Sequence, residues 1–146
     1  MKKVVIYTDG SCLGNPGAGA WAAILEYQGK EKEICGFVAE TTNNRMELMA
    51  AIEALKTLKE SCIVELYTDS RYVQQGITEW LPKWRQTNFK NKKNVDLWIE
   101  LEKEAERHKV SWHWVQAHST NALNNRVDKL ARDLAIKNSP KPAEWV

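Results

Sequence analysis

The sequence predicts an α/β layer fold: a five-stranded mixed sheet, three antiparallel strands followed by parallel ones, flanked by helices. Two observations carry this. Three strand-like stretches follow one another from the N-terminus, and after Asn44 helix-periodic and strand-like segments alternate, the pattern of a sheet with helices on its faces. The 146 residues, 43 % hydrophobic and 27 % charged, suit one domain large enough to bury a core. Its expected extent is residues 1–138.

The elements follow in order. Val4 to Thr8 is β-branched and aromatic, a continuous apolar run that suits a central strand buried on both faces. It ends in Asp9-Gly10. Leu13 to Gly19 is a glycine-rich turn, but the segment after it is strand-like rather than helical, so it is not a phosphate loop opening a helix. Trp21–Tyr27 and Glu33–Val38 flank Gln28-Gly29-Lys30 as an antiparallel hairpin. Leu48, Ala51, Ile52, Leu55 and Leu58 form one helical stripe. Ile63–Thr68 is a fourth strand, closed by Asp69-Ser70, and Arg71–Thr78 reads as a short helix capped by Asp69 or Ser70.

Trp80 to Val95 differs in composition, with Lys83, Arg85, Lys90, Lys92 and Lys93 interleaved with Trp80, Trp84 and Phe89 and no acidic residue. Val95–Glu106 is a helix with Leu97 and Leu101 on one face. Val110–Val115 is a fifth strand, followed by the loop 116–121. The last helix carries Val127, Leu130, Ala131, Leu134 and Ala135, and residues 139–146 are expected to be a mobile tail.

No stretch approaches the ~18 apolar residues of a membrane span, and no secretory apolar region follows Lys2-Lys3. Cys12, Cys35 and Cys62 are odd in number and lack a Cys-x-x-Cys pair. That argues against a disulfide framework or zinc site and for a reducing cytoplasm. His108, His113 and His118 fall five apart, not at the i, i+4 spacing of a helical metal pair. The net charge is only +2, so any affinity for nucleic acid lies in the distribution of charge. No protein partner is called for, and a cytoplasmic monomer is the expectation.

Four carboxylates stand out, each with an ordinary alternative. Asp9 ends the first strand, where Asp-Gly is also a turn signal. Asp69 repeats the pattern after the fourth strand, where it could equally cap the next helix. If those strands are parallel neighbours, both emerge at the carboxyl edge of the sheet, where ligand sites lie. Glu47 borders the apolar face of its helix, but Asn44 and Glu47 also fit a capping box. Asp128 borders the last helix's apolar stripe, but also fits an i, i+4 ion pair with Arg132. Converging, the four would repel unless cations held them ionised, and hard oxygen ligands suit Mg²⁺ or Mn²⁺.

Thr8-Asp9-Gly10-Ser11-Cys12-Leu13-Gly14-Asn15-Pro16-Gly17, Thr41-Thr42-Asn43-Asn44-Arg45-Met46-Glu47-Leu48 and Tyr67-Thr68-Asp69-Ser70 together resemble bacterial ribonuclease HI, the type 1 ribonuclease H family. So do Asn94-Val95-Asp96-Leu97-Trp98, Trp114-Val115-Gln116-Ala117-His118 and Asn125-Arg126-Val127-Asp128-Lys129-Leu130-Ala131. The likeness runs in order over residues 3–137.

It implies a ribonuclease H-like fold and an endonuclease that cuts the RNA strand of RNA–DNA hybrids with two Mg²⁺ ions, Mn²⁺ being a possible substitute, leaving 5′-phosphate and 3′-hydroxyl ends. The family's acidic quartet falls on Asp9, Glu47, Asp69 and Asp128, and its histidine on His118, which is otherwise an ordinary polar loop residue. By the same resemblance Cys12, Asn15, Asn43 and Asn44 line the minor groove, Thr42 holds a DNA phosphate, and Trp80 and Trp84 line the DNA channel. Lys83, Arg85, Lys90, Lys92 and Lys93 then form the basic protrusion that grips hybrid. Without the family, the asparagines read as turn and cap residues and the lysines as a solvated loop. The protrusion is shorter than in the best-known members; Arg71 stands where Gln is frequent, Ala117 where Gly is usual, and Asn125 where an acid is frequent.

Three other readings compete with this one. A non-catalytic hybrid-binding module of the same fold would be marked by loss of a metal carboxylate, and all four are present. A resolvase- or transposase-like nuclease acting on DNA is disfavoured by the basic segment and the asparagines. An aspartyl-phosphate phosphatase needs a nucleophilic Asp where Tyr7 stands.

Overall fold

The computed structural model describes residues 1–117 and 121–139. Five strands form one sheet: β1 (Lys2–Cys12), β2 (Gly17–Tyr27), β3 (Lys30–Thr41), β4 (Cys62–Thr68) and β5 (Lys109–Trp114), in the order β3-β2-β1-β4-β5. β1–β2 and β2–β3 are antiparallel; β1–β4 and β4–β5 are parallel. The helices are α1 (Asn43–Thr57), α2 (Arg71–Gln75), α3 (Leu81–Gln86), α4 (Val95–Glu106) and α5 (Ala122–Asn138), with a π-helical turn, Gly76–Trp80, between α2 and α3. None of these helices is long and apolar enough to cross a membrane.

Strand alternation divides the buried residues between two faces. Val4 and Ile6 of β1 join Val64 and Leu66 of β4 beneath Leu48, Ile52 and Leu55 of α1 and Leu97, Trp98 and Leu101 of α4. On the other face Ala22 and Ile24 of β2 meet Val127 and Ala131 of α5, with Tyr7 packed against them. The continuous apolar run of β1 is thus explained by its central place, covered on both sides. The β2–β3 hairpin turns at Gln28 (φ 51°) and Gly29 (φ 78°), the paired left-handed conformation whose twist suits a two-residue hairpin.

The structure departs from the sequence expectation in several places. β1 runs on past Asp9 to Cys12 and β2 begins at Gly17, inside the expected turn, because Asp9 to Cys12 pair with Ala22 to Gly19. β3 extends to Lys30–Thr41 because its polar residues pair along the whole of β2, from Tyr27↔Lys30 to Gly17↔Thr41. The N-cap of α1 is Thr42, whose hydroxyl accepts from Arg45 N at 3.3 Å. Asn44 lies inside the first turn, so the Asn44–Glu47 capping box does not form. The helix expected to end at Thr78 continues through the π turn into α3. Pro82 is tolerated near the start of α3, where a missing N–H costs little.

Gly76 opens that π turn with its Cα against the Trp98 indole: a Cβ there would lie 2.0 Å from Trp98 Cη2. Trp98 is fully buried and cannot swing away. Gly76→Ala is therefore expected to lower stability by about 1–3 kcal/mol through overpacking, read as a fall in the urea midpoint at unchanged m-value.

Candidate active site

The parallel pairing Thr8↔Thr68 brings β1 and β4 to the same edge, so the next residue on each strand is an aspartate: Asp9 and Asp69. Ser70 caps α2, accepting from Val73 N at 3.2 Å, which leaves the Asp69 carboxylate uncommitted to capping. α1 crosses the edge above Gly10, where a Cβ would meet Glu47 N at 2.5 Å. That close approach needs glycine. It lets Gly10 N–H donate to Asp9 Oδ1 at 2.9 Å and to Glu47 Oε1 in a short hydrogen bond.

The result is a cluster in which Asp9, Glu47 and Asp69 each offer an oxygen within 4.8 Å of the others. Asp9 is 2 % exposed and Glu47 5 %. Asp128, on α5, lies on the opposite face of the sheet, near enough to raise the Asp9 pKa, but is not one of the three carboxylates whose oxygens gather within 4.8 Å. It also accepts from Arg132 at 3.4 Å, so the i, i+4 ion pair forms. Trp114 Nε1 donates to the Asp69 carbonyl at 3.0 Å, and Arg71 lies over the Trp114 ring, 3.9 Å from its centroid. Neither residue was singled out for this place from sequence, and an aromatic at a strand end gives no warning of it.

Burial first, then the charge of Asp69 and the neighbouring Asp128, push the Asp9 pKa up to about 9. Burial, then Asp9 and Asp69, push Glu47 well above the usual carboxylate range. Such a set can be fully ionised only with a compensating cation. Its all-oxygen donors fit a hard divalent ion.

The other expected residues gather around this edge. Asn15 Oδ1 accepts from Asn43 N at 3.3 Å, tying the turn after β1 to the start of α1. Cys12 Sγ lies 3.4 Å from the Thr41 carbonyl, and Asn43 and Asn44 are exposed. Trp80 and Trp84 are half-buried: their centroids are 5.7 Å apart, Trp80 stands 6.0 Å from Tyr72, and Trp84 meets Trp98 edge-on at 5.6 Å. Lys83, Arg85, Lys90, Lys92 and Lys93 are exposed. Arg85 is committed to Glu102 of α4, and Lys92 lies 5.3 Å from the Trp84 centroid. His118 and the tail from Pro140 lie outside the described residues.

The RNase H family profile matches residues 1–136. The chain belongs to the ribonuclease H family. It is 55 % identical to the ribonuclease H of Xanthomonas axonopodis pv. citri (strain 306) over 141 residues, covering 93 % of this chain and 94 % of that one. It is 56 % identical to that of Hahella chejuensis (strain KCTC 2396) over 142 residues, covering 94 % and 95 %. The structure of LC9-RNase H1, a type 1 RNase H with the type 2 active-site motif, superposes with a TM-score of 0.85 at 32 % identity, over 96 % of this chain and 75 % of that one. LC11-RNase H1 in complex with RNA/DNA hybrid shares the fold, with a TM-score of 0.68 at 22 % identity over 92 % and 97 %.

The acid cluster makes a stability test. With the folded Asp9 titrating near 9 and an unfolded aspartate near ~3.9, folding takes up a proton between those values. Stability of the metal-free protein therefore falls as pH rises through that window. In EDTA, Asp9→Asn is expected to melt several degrees higher than the parent at pH 8 and to lose most of that advantage at pH 5. Saturating Mg²⁺ is expected to raise the melting temperature of the parent, since an ion that binds only the folded state stabilises it.

Proposed function

We propose that this chain is an endonuclease that hydrolyses the RNA strand of RNA–DNA hybrids with two Mg²⁺ ions, leaving 5′-phosphate and 3′-hydroxyl ends. The observation that carries the reading is the buried carboxylate cluster of Asp9, Glu47 and Asp69, with oxygens inside 4.8 Å, in a chain of the ribonuclease H family. Asp9 would bridge the two ions, Glu47 and Asp69 would complete one site, and Asp128 the other. When bound, the ions supply Lewis-acid chemistry: a water acidified for attack on phosphorus, and a stabilised 3′ oxygen leaving group. Mn²⁺ would serve as a substitute.

The chain's own residues hold this set in place. Gly10 N–H fixes the facing oxygens of Asp9 and Glu47, and Trp114 restrains the Asp69 backbone. Burial around Asp9 and Glu47 excludes water that would weaken their hold on a cation. His118 would assist proton transfer or product release. Cys12, Asn15, Asn43 and Asn44 would read the 2′-hydroxyls of the minor groove, which distinguish RNA from DNA. An amide both donates and accepts, as that task requires.

Thr42 accepts from Arg45 N with one oxygen lone pair and would give its O–H to a DNA phosphate, with Trp80 and Trp84 beside the DNA strand. Lys83, Lys90, Lys92 and Lys93, which have no carboxylate partner among the described residues, would take phosphates in a salt-dependent grip. Residues 1–138 would act as a single cytoplasmic domain, monomeric and needing no partner chain.

End-labelled RNA–DNA hybrid, duplex RNA and duplex DNA, each incubated with Mg²⁺ and with EDTA, test the proposal. Metal-dependent cutting of only the RNA strand of the hybrid is expected. Asp9→Asn is expected to lower turnover by at least about 10³-fold while hybrid binding survives. Binding without cutting under every divalent metal would instead make the chain a passive hybrid-binding module.

A further inference from the structure

The basic segment between α3 and α4 is held in an uncommon backbone conformation. Asn88, Phe89, Asn91 and Asn94 all have φ between 54° and 61°. Asparagine tolerates the left-handed region, but a bulky phenylalanine there is strained. Such a turn persists only where its surroundings over-determine it. One end is pinned within the segment, by Phe89 N–H donating to the Trp84 carbonyl at 2.8 Å and by Lys92 over the Trp84 ring.

The other end is pinned from outside, at Asn94. Its Oδ1 accepts from Arg45 Nη1 at 3.3 Å, and its Nδ2 donates to the Tyr72 hydroxyl at 3.1 Å. The same hydroxyl accepts from Trp98 Nε1 at 3.0 Å. Arg45 also grips Asp96 with two hydrogen bonds, of 3.1 and 2.8 Å, a paired geometry that fixes direction as well as distance. Arg45 stands on α1 between Asn44 and Glu47, separated from Glu47 only by Met46.

We infer that Arg45, acting through Asn94 and Asp96, is a positioning residue for hybrid binding: it sets the basic turn in fixed register with the acidic cluster. This rests on the reading that the basic segment grips hybrid. Arg45 itself touches no reacting atom. It joins α1, which carries Glu47, to the point where the lysine-bearing turn re-enters the fold. A hybrid lying on both regions needs them at one fixed separation, and a small error in that separation is costly.

The test is steady-state cleavage of a hybrid long enough to span both regions. Arg45→Gln is expected to raise KM about tenfold and leave kcat within about twofold, because the register is lost and the metal ligands are untouched. Arg45→Lys is expected to recover little, since an ammonium keeps the charge but not the paired geometry. Asn94→Gly, which keeps the left-handed backbone and removes the bridge, is expected to raise KM likewise at nearly unchanged melting temperature.

The salt dependence of hybrid binding by fluorescence anisotropy should become shallower in both Arg45→Gln and Asn94→Gly, as lysines drop off phosphates. Unchanged KM and salt slope in Asn94→Gly and Arg45→Gln would overturn the inference, as would full rescue by lysine. Substituting Lys83, Lys90, Lys92 and Lys93 together by Ala separates the two claims. If that variant raises KM and the Arg45 variants do not, only the positioning role fails. If it leaves KM unchanged, the basic-segment reading fails as well.

Discussion

The close approach of α1 to the end of β1 is the constraint on which the rest of the site depends. It exists because residue 10 has no side chain: any Cβ would run into the backbone of Met46 and Glu47. With that gap closed, one backbone N–H faces two carboxylates, and the parallel register of β1 with β4 adds a third from Asp69. Nothing in ordinary folding energetics favours this. Burying carboxylates side by side penalises their charged forms, as the upward shifts of Asp9 and Glu47 record. The core beneath, with Ile6, Leu48, Leu55 and Leu66 essentially fully buried, offsets that penalty through apolar area removed from water.

With Asp128 included, the proposed site draws on both layers of the fold. Glu47 comes from the helix that covers one face of the sheet and Asp128 from the helix that covers the other, while Asp9 and Asp69 come from the sheet itself. Relative movement of either helix would change an oxygen–oxygen distance. The layers are therefore fastened near the site: Thr42 and Asn15 hold the start of α1, and Asn121 caps α5 while its amide reaches the Tyr7 hydroxyl at 3.4 Å. The site is positioned by strand ends and helix starts, the rigid parts of the chain, rather than by a long loop.

Much of this was legible in the sequence, and the reasons are specific. β1, β4 and the stripe of α1 announce themselves because burial on one or both faces imposes an apolar period. Asp9 and Asp69 were legible because each follows the apolar run of its strand, although β1 itself pairs on to Cys12. The start of α1 is ambiguous in the sequence because Thr42 and Asn44 are both good caps spaced two apart. Local chemistry does not choose between them; in the structure Thr42 takes the cap. The extent of the helical stretch after Asp69 was hidden for a similar reason. Its continuation past Thr78 depends on Gly76 fitting Trp98, a contact 22 positions away in the chain, and the π turn that accommodates it has no sequence period of its own. For Trp80 and Trp84 the sequence offers only a place along the DNA channel, by resemblance. That they lean on Tyr72 and Trp98 follows from the fold alone.

The distribution of unpaired charge closes the argument about what such a surface accepts. The chain holds 21 lysines and arginines against 19 acids, enough for nearly complete internal pairing. Many do pair, Arg45 with Asp96 and Arg126 with Glu31 and Glu33 among them. Among the charges that form no ion pair in the described residues, two sets bear on the site. The inner carboxylates Asp9, Glu47 and Asp69 have no cationic side chain as partner among the described residues, and Lys83, Lys90, Lys92 and Lys93 have no carboxylate. Had the lysines folded over the acids, each would have neutralised the other and neither would bind anything. Aromatic packing on Trp98 and the Arg45–Asn94–Asp96 contacts instead hold the basic turn on the α4 side of the molecule. On the proposed reading the acids are then left for divalent cations and the lysines for phosphates. On that reading, a nucleic acid strand, bringing phosphate oxygens to both, is the ligand whose chemistry would satisfy the two groups together.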